Sequence, residues 1–201
     1  LNDLGININT IPVLDLRYKG SSNIIGDRSF SSDPKVVSKI GDLCIKYFKT
    51  NSIGTVIKHI PGHGLAKVDS HHFTPTINKD FNYLKKRDFK TFRSKSSLFA
   101  MTAHVIFKKI DPDNTVTHSK KMIGIIRNKI KFKNLIISDD LSMKSLKFSI
   151  IENTKKAFNA GCNLALHCNG NLKEMTFVAE NSPKVSSFVL KKTSEFYKNI
   201  S

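Results

Sequence analysis

Residues 135–143 read LIISDDLSM and contain the clearest signal for the fold of this chain. An apolar run of strand length stops there at two carboxylates, Asp139 and Asp140, and polar residues follow. A short continuous apolar run is typical of a strand in a parallel sheet that helices cover on both faces. We therefore predict a buried strand at 135–138 that delivers Asp139 to the carboxyl edge of a sheet.

Apolar runs of strand length recur along the chain and alternate with amphipathic stretches. The other predicted strands are 6–16, 55–60, 99–107 and 163–168. The first helix opens at Asp33 and Pro34, where Asp can cap the helix and Pro can occupy its first turn. Later helices are predicted at 82–97, 119–131, 142–160 and 183–199. The order βαβαβαβαβα predicts parallel strands, either in an open doubly wound sheet or in a (β/α)8 barrel.

Polar side chains follow every predicted strand, which is where both architectures place their chemistry. They are Asp15 and Arg17; Lys58, His59 and His63; His104; Asp139 and Asp140; His167 and Asn169. Because five strands all end in such groups, the pattern indicates a functional site at the carboxyl edge.

The loop after the second predicted strand is rich in histidine. Four His and one Asp fall within the fourteen residues 59–72. Asp69 and His71 lie two positions apart, and a carboxylate that holds an imidazole fixes its tautomer and raises its basicity, as a general acid/base requires. The alternative is a loop histidine that only satisfies backbone groups, but the density of histidines favours a chemical role.

The two adjacent carboxylates are expected to divide their roles. Asp139 can attack an electrophile held at the sheet edge or stabilise developing positive charge. Asp140 is interpreted as the cap of a helix that begins near Ser142, which is a structural role.

Arg28 and Lys58 are the candidates for gripping substrate oxygens. Each follows a predicted strand, and neither lies on a helix face. For Arg28, an ion pair with Asp27 or Asp33 is an equally good interpretation.

The composition of the chain indicates which classes of partner, nucleic acid or membrane, are to be expected. The chain carries 33 Lys and Arg against 16 Asp and Glu, a formal net charge of +17. The basic residues spread over predicted helix faces without a recognised nucleic-acid motif, so we expect no specific nucleic-acid partner. No secretory leader is found, and no apolar run approaches the roughly 18 residues of a membrane span. The sequence therefore predicts a soluble cytoplasmic protein without a membrane partner.

Disulfide and metal sites are disfavoured as well. Three cysteines without a C-x-x-C pair predict reduced thiols. His59 and His63 are four apart, yet a proline and a glycine between them exclude the helix that a zinc motif needs. A metal held by His59, His104 and Asp139 stays open as an alternative, although the spacing matches no strong metal signature.

Six motifs, taken together, resemble a known family. They are 25–30, IGDRSF; 58–64, KHIPGHG; 69–71, DSH; 101–105, MTAHV; 138–143, SDDLSM; and 160–163, AGCN. In this order they resemble glycoside hydrolase family 3, and within it the bacterial β-N-acetylglucosaminidases that recycle cell-wall fragments. The resemblance extends from about Leu4 to Asn169.

The resemblance implies a retaining mechanism on a (β/α)8 TIM barrel with no metal or organic cofactor. It assigns Asp139 as the nucleophile and His71 as the general acid/base, assisted by Asp69. The sugar-binding positions carried over by motif are Arg28, Lys58 and His59. The implied substrate is a carbohydrate, the terminal β-linked N-acetylglucosamine of muropeptide sugars, and the full-length protein is expected to be a monomer.

One part of the family pattern is missing. Family members also bind the terminal sugar through an Asp and an Arg on strands that precede the segment corresponding to 4–6. A barrel of this class takes roughly 250 residues, and five strands are recognisable here. We therefore expect residues 1–201 to be one catalytic domain that lacks its first βα units, a partial barrel with about strands 3 to 8 present. Its two open apolar edges are predicted to favour aggregation.

Two alternatives to this activity are kept. Another family 3 β-glycosidase, such as a β-glucosidase, is disfavoured by the loop of Asp69 and His71, because glucosidases of the family generally place their acid/base in another domain. The second alternative is an inactive barrel fragment that acts as a basic binding module. It predicts salt-sensitive association with polyanions and no hydrolysis.

Overall fold

The structure is a computed structural model that describes residues 1–70 and 73–200. Strands β1 to β7 span Ile8–Asn9, Gly54–Ile60, Thr76–Ile77, Phe99–Thr102, Ile106–Phe107, Leu135–Asp140 and Leu164–Leu166. Helices α1 to α7 span Pro34–Thr50, Phe81–Lys86, Asp88–Thr91, Lys120–Asn128, Ile150–Ala160, Leu172–Glu180 and Ser187–Ile200.

One five-stranded sheet organises the chain, in the order β1-β2-β4-β6-β7. Every neighbouring pair in this sheet is parallel. Parallel neighbours need a crossover connection, and helices supply it here. All five carboxyl ends therefore lie along one edge, and the predicted parallel α/β arrangement is confirmed.

The two faces of this sheet have different packing partners, because side chains alternate along a strand. Ile57 and Ile136 join a large core with residues of α1, α4 and α5. Val56 and Leu135 point the other way and form a smaller cluster with Val189 of α7. Burial on both faces explains why the strands read as continuous apolar runs.

β1 and β7 form the edges of the sheet, and neither has a second strand partner within residues 1–70 and 73–200. At one edge Ile6 and Ile8 are 39% and 38% exposed. At the other edge Leu164 and Leu166 are half-buried. Apolar residues thus line both edges, and their tendency to aggregate stays a prediction.

The predicted strands at 6–16 and 99–107 are interrupted. Within the predicted strand 6–16, regular pairing is limited to β1. Val13 forms an isolated parallel bridge to Lys58. Pro12 has no N–H to donate, so the regular ladder stops before it. The second divides into β4 and β5, and β5 pairs with β3 in a separate two-stranded parallel sheet.

Two helix predictions place boundaries wrongly. The helix predicted at 82–97 is divided into α2 and α3, because the backbone of Arg87, at φ −121 and ψ −91, leaves the helical region. The helix predicted at 142–160 begins only at Ile150, after the side chain of Ser149 accepts a capping hydrogen bond.

Capping side chains explain two further helix starts. The prediction at Asp33 and Pro34 is confirmed, since the Asp33 side chain caps α1 and Pro34 occupies its first turn. α6 has no counterpart among the predicted helices. Its cap is the side chain of Asn171, which accepts a hydrogen bond from the Glu174 backbone N. An Asn before a helix of nine residues is a weak signal, because Asn is also common in turns.

No helix within residues 1–70 and 73–200 is both long and apolar enough to cross a membrane. Cys44, Cys162 and Cys168 are free thiols, as predicted. Burial raises the pKa of Cys162 to about 12. The thiolate is the reactive form of cysteine, so a raised pKa keeps Cys162 unreactive. Its role is therefore to pack in the core.

Candidate active site

β6 delivers Asp139 to the carboxyl edge of the sheet. The Asp139 Oδ1 accepts a hydrogen bond from the Asp140 backbone N at 2.9 Å. Its Oδ2 lies 4.0 Å from Nε2 of His59, and the side chain is 17% exposed. The backbone contact orients the carboxylate while Oδ2 stays available toward His59.

Asp139 is held in its ionised form. Burial acts to raise the pKa of Asp139, but His104, His59 and the backbone N–H of Asp140 together lower it below its ordinary value. An enclosed carboxylate that keeps its charge at neutral pH can act as a nucleophile or stabilise a developing cation.

The shortest polar contact around His59 is with Asp15. Asp15 Oδ2 lies 2.7 Å from the His59 Nδ1 and accepts from the His59 backbone N at 3.1 Å. Asp15 Oδ1 accepts from the His63 backbone N at 2.7 Å. Asp15 is 0% exposed. Its place after the first predicted strand is the one sequence signal that marks it, and no role in the site follows from that signal alone.

His104 supports the end of β6. Its Nε2 donates to the Asp140 carbonyl at 3.0 Å, since a carbonyl only accepts, and its Nδ1 accepts from the Thr117 hydroxyl at 2.7 Å. Burial lowers the pKa of His104, which favours the neutral ring.

Both nitrogens of His104 are therefore engaged, and the ring presents no lone pair to a cation. This geometry argues against a metal held by His59, His104 and Asp139. Within residues 1–70 and 73–200, no group of three or more His, Cys, Asp or Glu side chains is arranged to hold a metal ion.

Asp140 does not cap a helix, and that interpretation is wrong. Its Oδ1 accepts from the backbone N of Ser142 at 3.1 Å and of Cys168 at 3.1 Å, and its Oδ2 accepts from the Ser142 hydroxyl at 2.7 Å. The segment after β6 forms turns before α5 begins, so no helix start is available to it. Asp140 instead ties the end of β6 to the end of β7.

His63 contributes its backbone to the site. The side chain is 2% exposed, and neither ring nitrogen has a hydrogen-bond partner within the described residues. Burial and the neighbouring His59 lower the pKa of His63 to about 4, so its ring is neutral at neutral pH. The backbone N–H, held by Asp15, fixes the start of the loop that follows β2.

Lys58 lies on β2 within electrostatic reach of the nucleophile candidate. Burial and the positive charge of Arg28 lower the pKa of Lys58, while Asp139 and Asp15 act in the opposite direction. The Lys58 Nζ donates to the Thr10 hydroxyl at 3.3 Å, a long contact that a ligand oxygen can replace. The structure thus brings Lys58, Arg28, His59 and Asp139 into one neighbourhood.

Arg28 does not form the ion pair considered from its sequence neighbours. Its guanidinium donates to the backbone carbonyl of Ile24. Asp27 pairs instead with Arg17 at 3.6 Å, and the Asp33 side chain caps α1. The ion-pair interpretation is therefore wrong, and the charge of Arg28 is not neutralised by either acid.

The residues assigned to acid/base catalysis, His71 and Asp69, come between β2 and β3 in the sequence. His71 lies outside the described residues. Asp69 is half-buried, and its backbone carbonyl accepts from the Phe73 N at 2.9 Å. At the end of the loop the Thr74 hydroxyl donates to the Ser145 carbonyl at 2.7 Å, which ties this loop to the segment after Asp139. The roles of His71 and Asp69 stay predictions.

Another buried carboxylate, Asp88, packs against Gly62 in this loop. It is 2% exposed, and its Oδ2 accepts from the Tyr18 hydroxyl at 2.8 Å. Its Oδ1 has no hydrogen-bond partner within the described residues. Burial raises the pKa of Asp88 to about 6, against the opposing hydrogen bond from Tyr18. Folding therefore favours the protonated acid at this position.

We expect Asp88→Asn to stabilise the chain at neutral pH but not in acid. The pKa of Asp88 is about 6 in the folded chain, against an ordinary value of 3.8. Protonated Asp88 contributes its full stabilisation below about pH 4, and this contribution is lost as pH rises through about 6. The free energy of unfolding of the parent, relative to the variant, is expected to change by about 3 kcal/mol at most between the two pH values. Urea unfolding of both proteins at about pH 4 and 7.5 measures this difference.

The control for that comparison is Asp113→Asn, which changes an exposed carboxylate. It is expected to leave the free energy of unfolding unchanged relative to the parent at both pH values. An Asp88→Asn variant whose stability relative to the parent is the same at both pH values would contradict the prediction.

The sequence matches a known family and several curated proteins. Residues 1–190 match the glycosyl hydrolase family 3 N terminal domain. A Beta-hexosaminidase of Nitrosomonas eutropha is 35% identical over 174 residues, which cover 84% of this chain and 50% of that protein. A Beta-hexosaminidase of Actinobacillus pleuropneumoniae is 37% identical over 172 residues, with 83% and 49% covered.

Solved structures resemble the fold closely. NagZ from Neisseria gonorrhoeae, in complex with N-trifluoroacetyl-D-glucosamine, superimposes with a TM-score of 0.86 and 28% identity over 97% of this chain and 57% of that chain. A family 3 β-N-acetylglucosaminidase from Paenibacillus gives a TM-score of 0.87 and 25% identity over 99% of this chain and 40% of that chain.

The chain spans about half the length of the curated relatives that it matches. Its five-stranded parallel sheet corresponds to part of their barrel-like domain, which confirms the predicted partial α/β barrel. Family match, sequence identity and fold all agree, and the chain belongs to glycoside hydrolase family 3.

Proposed function

We propose that this chain carries the catalytic centre of a β-N-acetylhexosaminidase, with Asp139 as its nucleophile. The observation that carries the proposal is an ionised, largely enclosed carboxylate at the end of a barrel strand, 4.0 Å from the His59 ring. Barrel enzymes build their sites from such strand ends. The relatives called Beta-hexosaminidase support the choice of an N-acetylated sugar.

The proposed reaction is a double displacement with retention. An Asp139 oxygen attacks the anomeric carbon, the bond to the leaving oxygen breaks, and His71 donates its proton to that oxygen. Water then attacks the anomeric carbon of the glycosyl ester, His71 takes the proton of the water, and the carboxylate leaves. Asp69 orients His71 and stabilises its charged form. An imidazole suits both proton transfers because it titrates near neutrality.

The sugar is held, in this proposal, by Arg28, Lys58 and His59. Arg28 and Lys58 supply donors whose charges are not consumed by an ion pair in the described part of the chain. His59 lies on β2 beside Asp139, so an oxygen near the anomeric carbon can reach both side chains. Donors on separate elements fix a sugar ring more firmly than donors on one loop.

The biological setting is proposed from the family resemblance. The natural substrate is N-acetylglucosamine at the non-reducing end of peptidoglycan-derived sugars, released during cell-wall recycling in the cytoplasm. Residues 1–201 act as one catalytic domain, and the whole protein works as a monomer without a nucleic-acid or membrane partner.

Substrate choice provides the direct test. The full-length protein is expected to hydrolyse an aryl β-N-acetylglucosaminide with a kcat/KM at least about 10²-fold above that for the aryl β-glucoside, because the acetamido group gives additional contacts. Release of the aryl alcohol is measured for both compounds under the same conditions.

Each other outcome of that test contradicts the proposal. A preference for the glucoside supports a different family 3 β-glycosidase. Absence of hydrolysis, with salt-sensitive binding to a polyanion such as heparin, supports the basic binding module. Absence of both activities would leave the chain without a catalytic centre.

A further inference from the structure

We propose that Asp15 is a positioning residue that fixes the tautomer of His59, so that Nε2 of this ring faces Asp139 and the sugar as a hydrogen-bond acceptor. The inference rests on the proposed function for its effect on turnover, but the tautomer itself can be measured without any turnover. Asp15 lies in none of the six motifs that carry the family resemblance.

Three N–H groups converge on the Asp15 carboxylate. Two of them belong to His59, the backbone N at 3.1 Å and the ring Nδ1 at 2.7 Å, and both meet Oδ2. The third is the His63 backbone N, which meets Oδ1 at 2.7 Å. Only a group with two acceptor oxygens can satisfy all three donors.

Asp15 stays ionised in this setting. Burial acts to raise the pKa of Asp15, but its interactions with His59 and His63 outweigh burial and hold the pKa below the ordinary value. An ionised carboxylate accepts hydrogen bonds and cannot donate. The Nδ1 of His59 must therefore carry a hydrogen, which leaves Nε2 of the neutral ring with its lone pair.

The position of Nε2 explains why the tautomer of His59 matters for binding the sugar. Nε2 lies 4.0 Å from Asp139 Oδ2, too far for a direct hydrogen bond, and both atoms are acceptors when the ring is neutral. A sugar hydroxyl between them can donate to Nε2. In the opposite tautomer Nε2 carries a hydrogen and donates, so it cannot accept from that hydroxyl. Asp15 thus keeps His59 available to the substrate.

The tautomer is tested by NMR on the 201-residue chain labelled with ¹⁵N histidine. At about pH 8.5 the expected spectrum has a hydrogen on the His59 Nδ1 and none on Nε2. A bare Nδ1 in the parent chain, or a hydrogen on both ring nitrogens, overturns the proposal, whether or not the chain is an enzyme.

Kinetics test whether this tautomer matters for turnover. Asp15→Asn keeps the shape but has one acceptor oxygen. With that oxygen on the His63 backbone N, the amide nitrogen takes the place of Oδ2 and donates toward the His59 Nδ1, which must then accept. We expect kcat for the aryl β-N-acetylglucosaminide to fall about 10²-fold and KM to rise, because the sugar loses its acceptor at Nε2, with the His59 Nδ1 signal shifted toward the unprotonated form.

Asp88→Asn is the matched control, since it replaces another buried carboxylate that packs against the same loop and does not contact the His59 ring. It is expected to retain kcat within about threefold and the parent His59 signal. A fall in kcat for Asp15→Asn without any change at Nδ1 would reduce Asp15 to a structural role and overturn the proposal, as would an unchanged kcat. If the parent chain shows no turnover, the proposed function fails, while the NMR measurement still decides the tautomer.

Discussion

Asp139→Asn is expected to lower kcat for the aryl β-N-acetylglucosaminide at least about 10³-fold. The amide oxygen can still accept the hydrogen bond from the Asp140 backbone N, so the local structure is kept. The amide cannot form the glycosyl ester, and it carries no negative charge beside His59. Initial rates at saturating substrate measure the change.

The same variant tests the covalent step. A fluorinated aryl glycoside that slows the second displacement is expected to add one sugar mass to the peptide that contains Asp139 in the parent chain and none in Asp139→Asn. Asp113→Asn, an exposed carboxylate, serves as the control and keeps the parental rate and the adduct. Unchanged turnover in Asp139→Asn, or a sugar attached to another residue, would exclude Asp139 as the nucleophile.

Gly64→Ala is expected to destabilise the fold by about 3 kcal/mol or more. A Cβ at position 64 would lie 2.0 Å from the backbone carbonyl oxygen of Leu16 and 3.0 Å from its carbonyl carbon. A backbone atom cannot turn away as the end of a flexible side chain can. The segments that must separate are those that carry Asp15 and His63, so the hydrogen bond between them is expected to break as well. Urea unfolding followed by circular dichroism gives the free energy of unfolding.

Gly124→Ala is the matched control for that substitution. Gly124 lies inside α4, and a Cβ there would meet nothing within 4 Å. Alanine has the higher helix propensity, so this variant is expected to be more stable than the parent by up to about 1 kcal/mol. A Gly64→Ala variant that unfolds at the same urea concentration as the parent would mean that residues 16 and 64 separate without cost.

The local determinants of this fold could be predicted from sequence. Apolar runs that end in polar side chains marked the buried strands, and Asp33 before Pro34 marked the start of α1. These signals work because covering both faces of a strand demands apolar residues and because a capping side chain bonds to its own helix. Boundaries were predicted less well wherever a turn competed, as at Arg87 and in the segment between Asp140 and Ile150.

The candidate site was predictable only in part. Asp139 and His59 stand at strand ends, and parallel strands bring their carboxyl ends to the same edge. The contact between Asp15 and His59 joins residues 44 positions apart and depends on the pairing that places Val13 beside Lys58. No spacing rule encodes such a contact, because its geometry follows from the pairing of separate strands.

The amino-acid sequence alone predicts the parallel α/β arrangement, the family and the residues offered to the sheet edge. The tertiary structure sets how those residues divide their roles. It turned Asp140 from a helix cap into a tie between β6 and β7, and it engaged both nitrogens of His104. It also gave Asp15 its three donors. The physical reason is that apolar periodicity is a local property, whereas the partner of a buried polar group is set by whichever distant segment the packing brings against it.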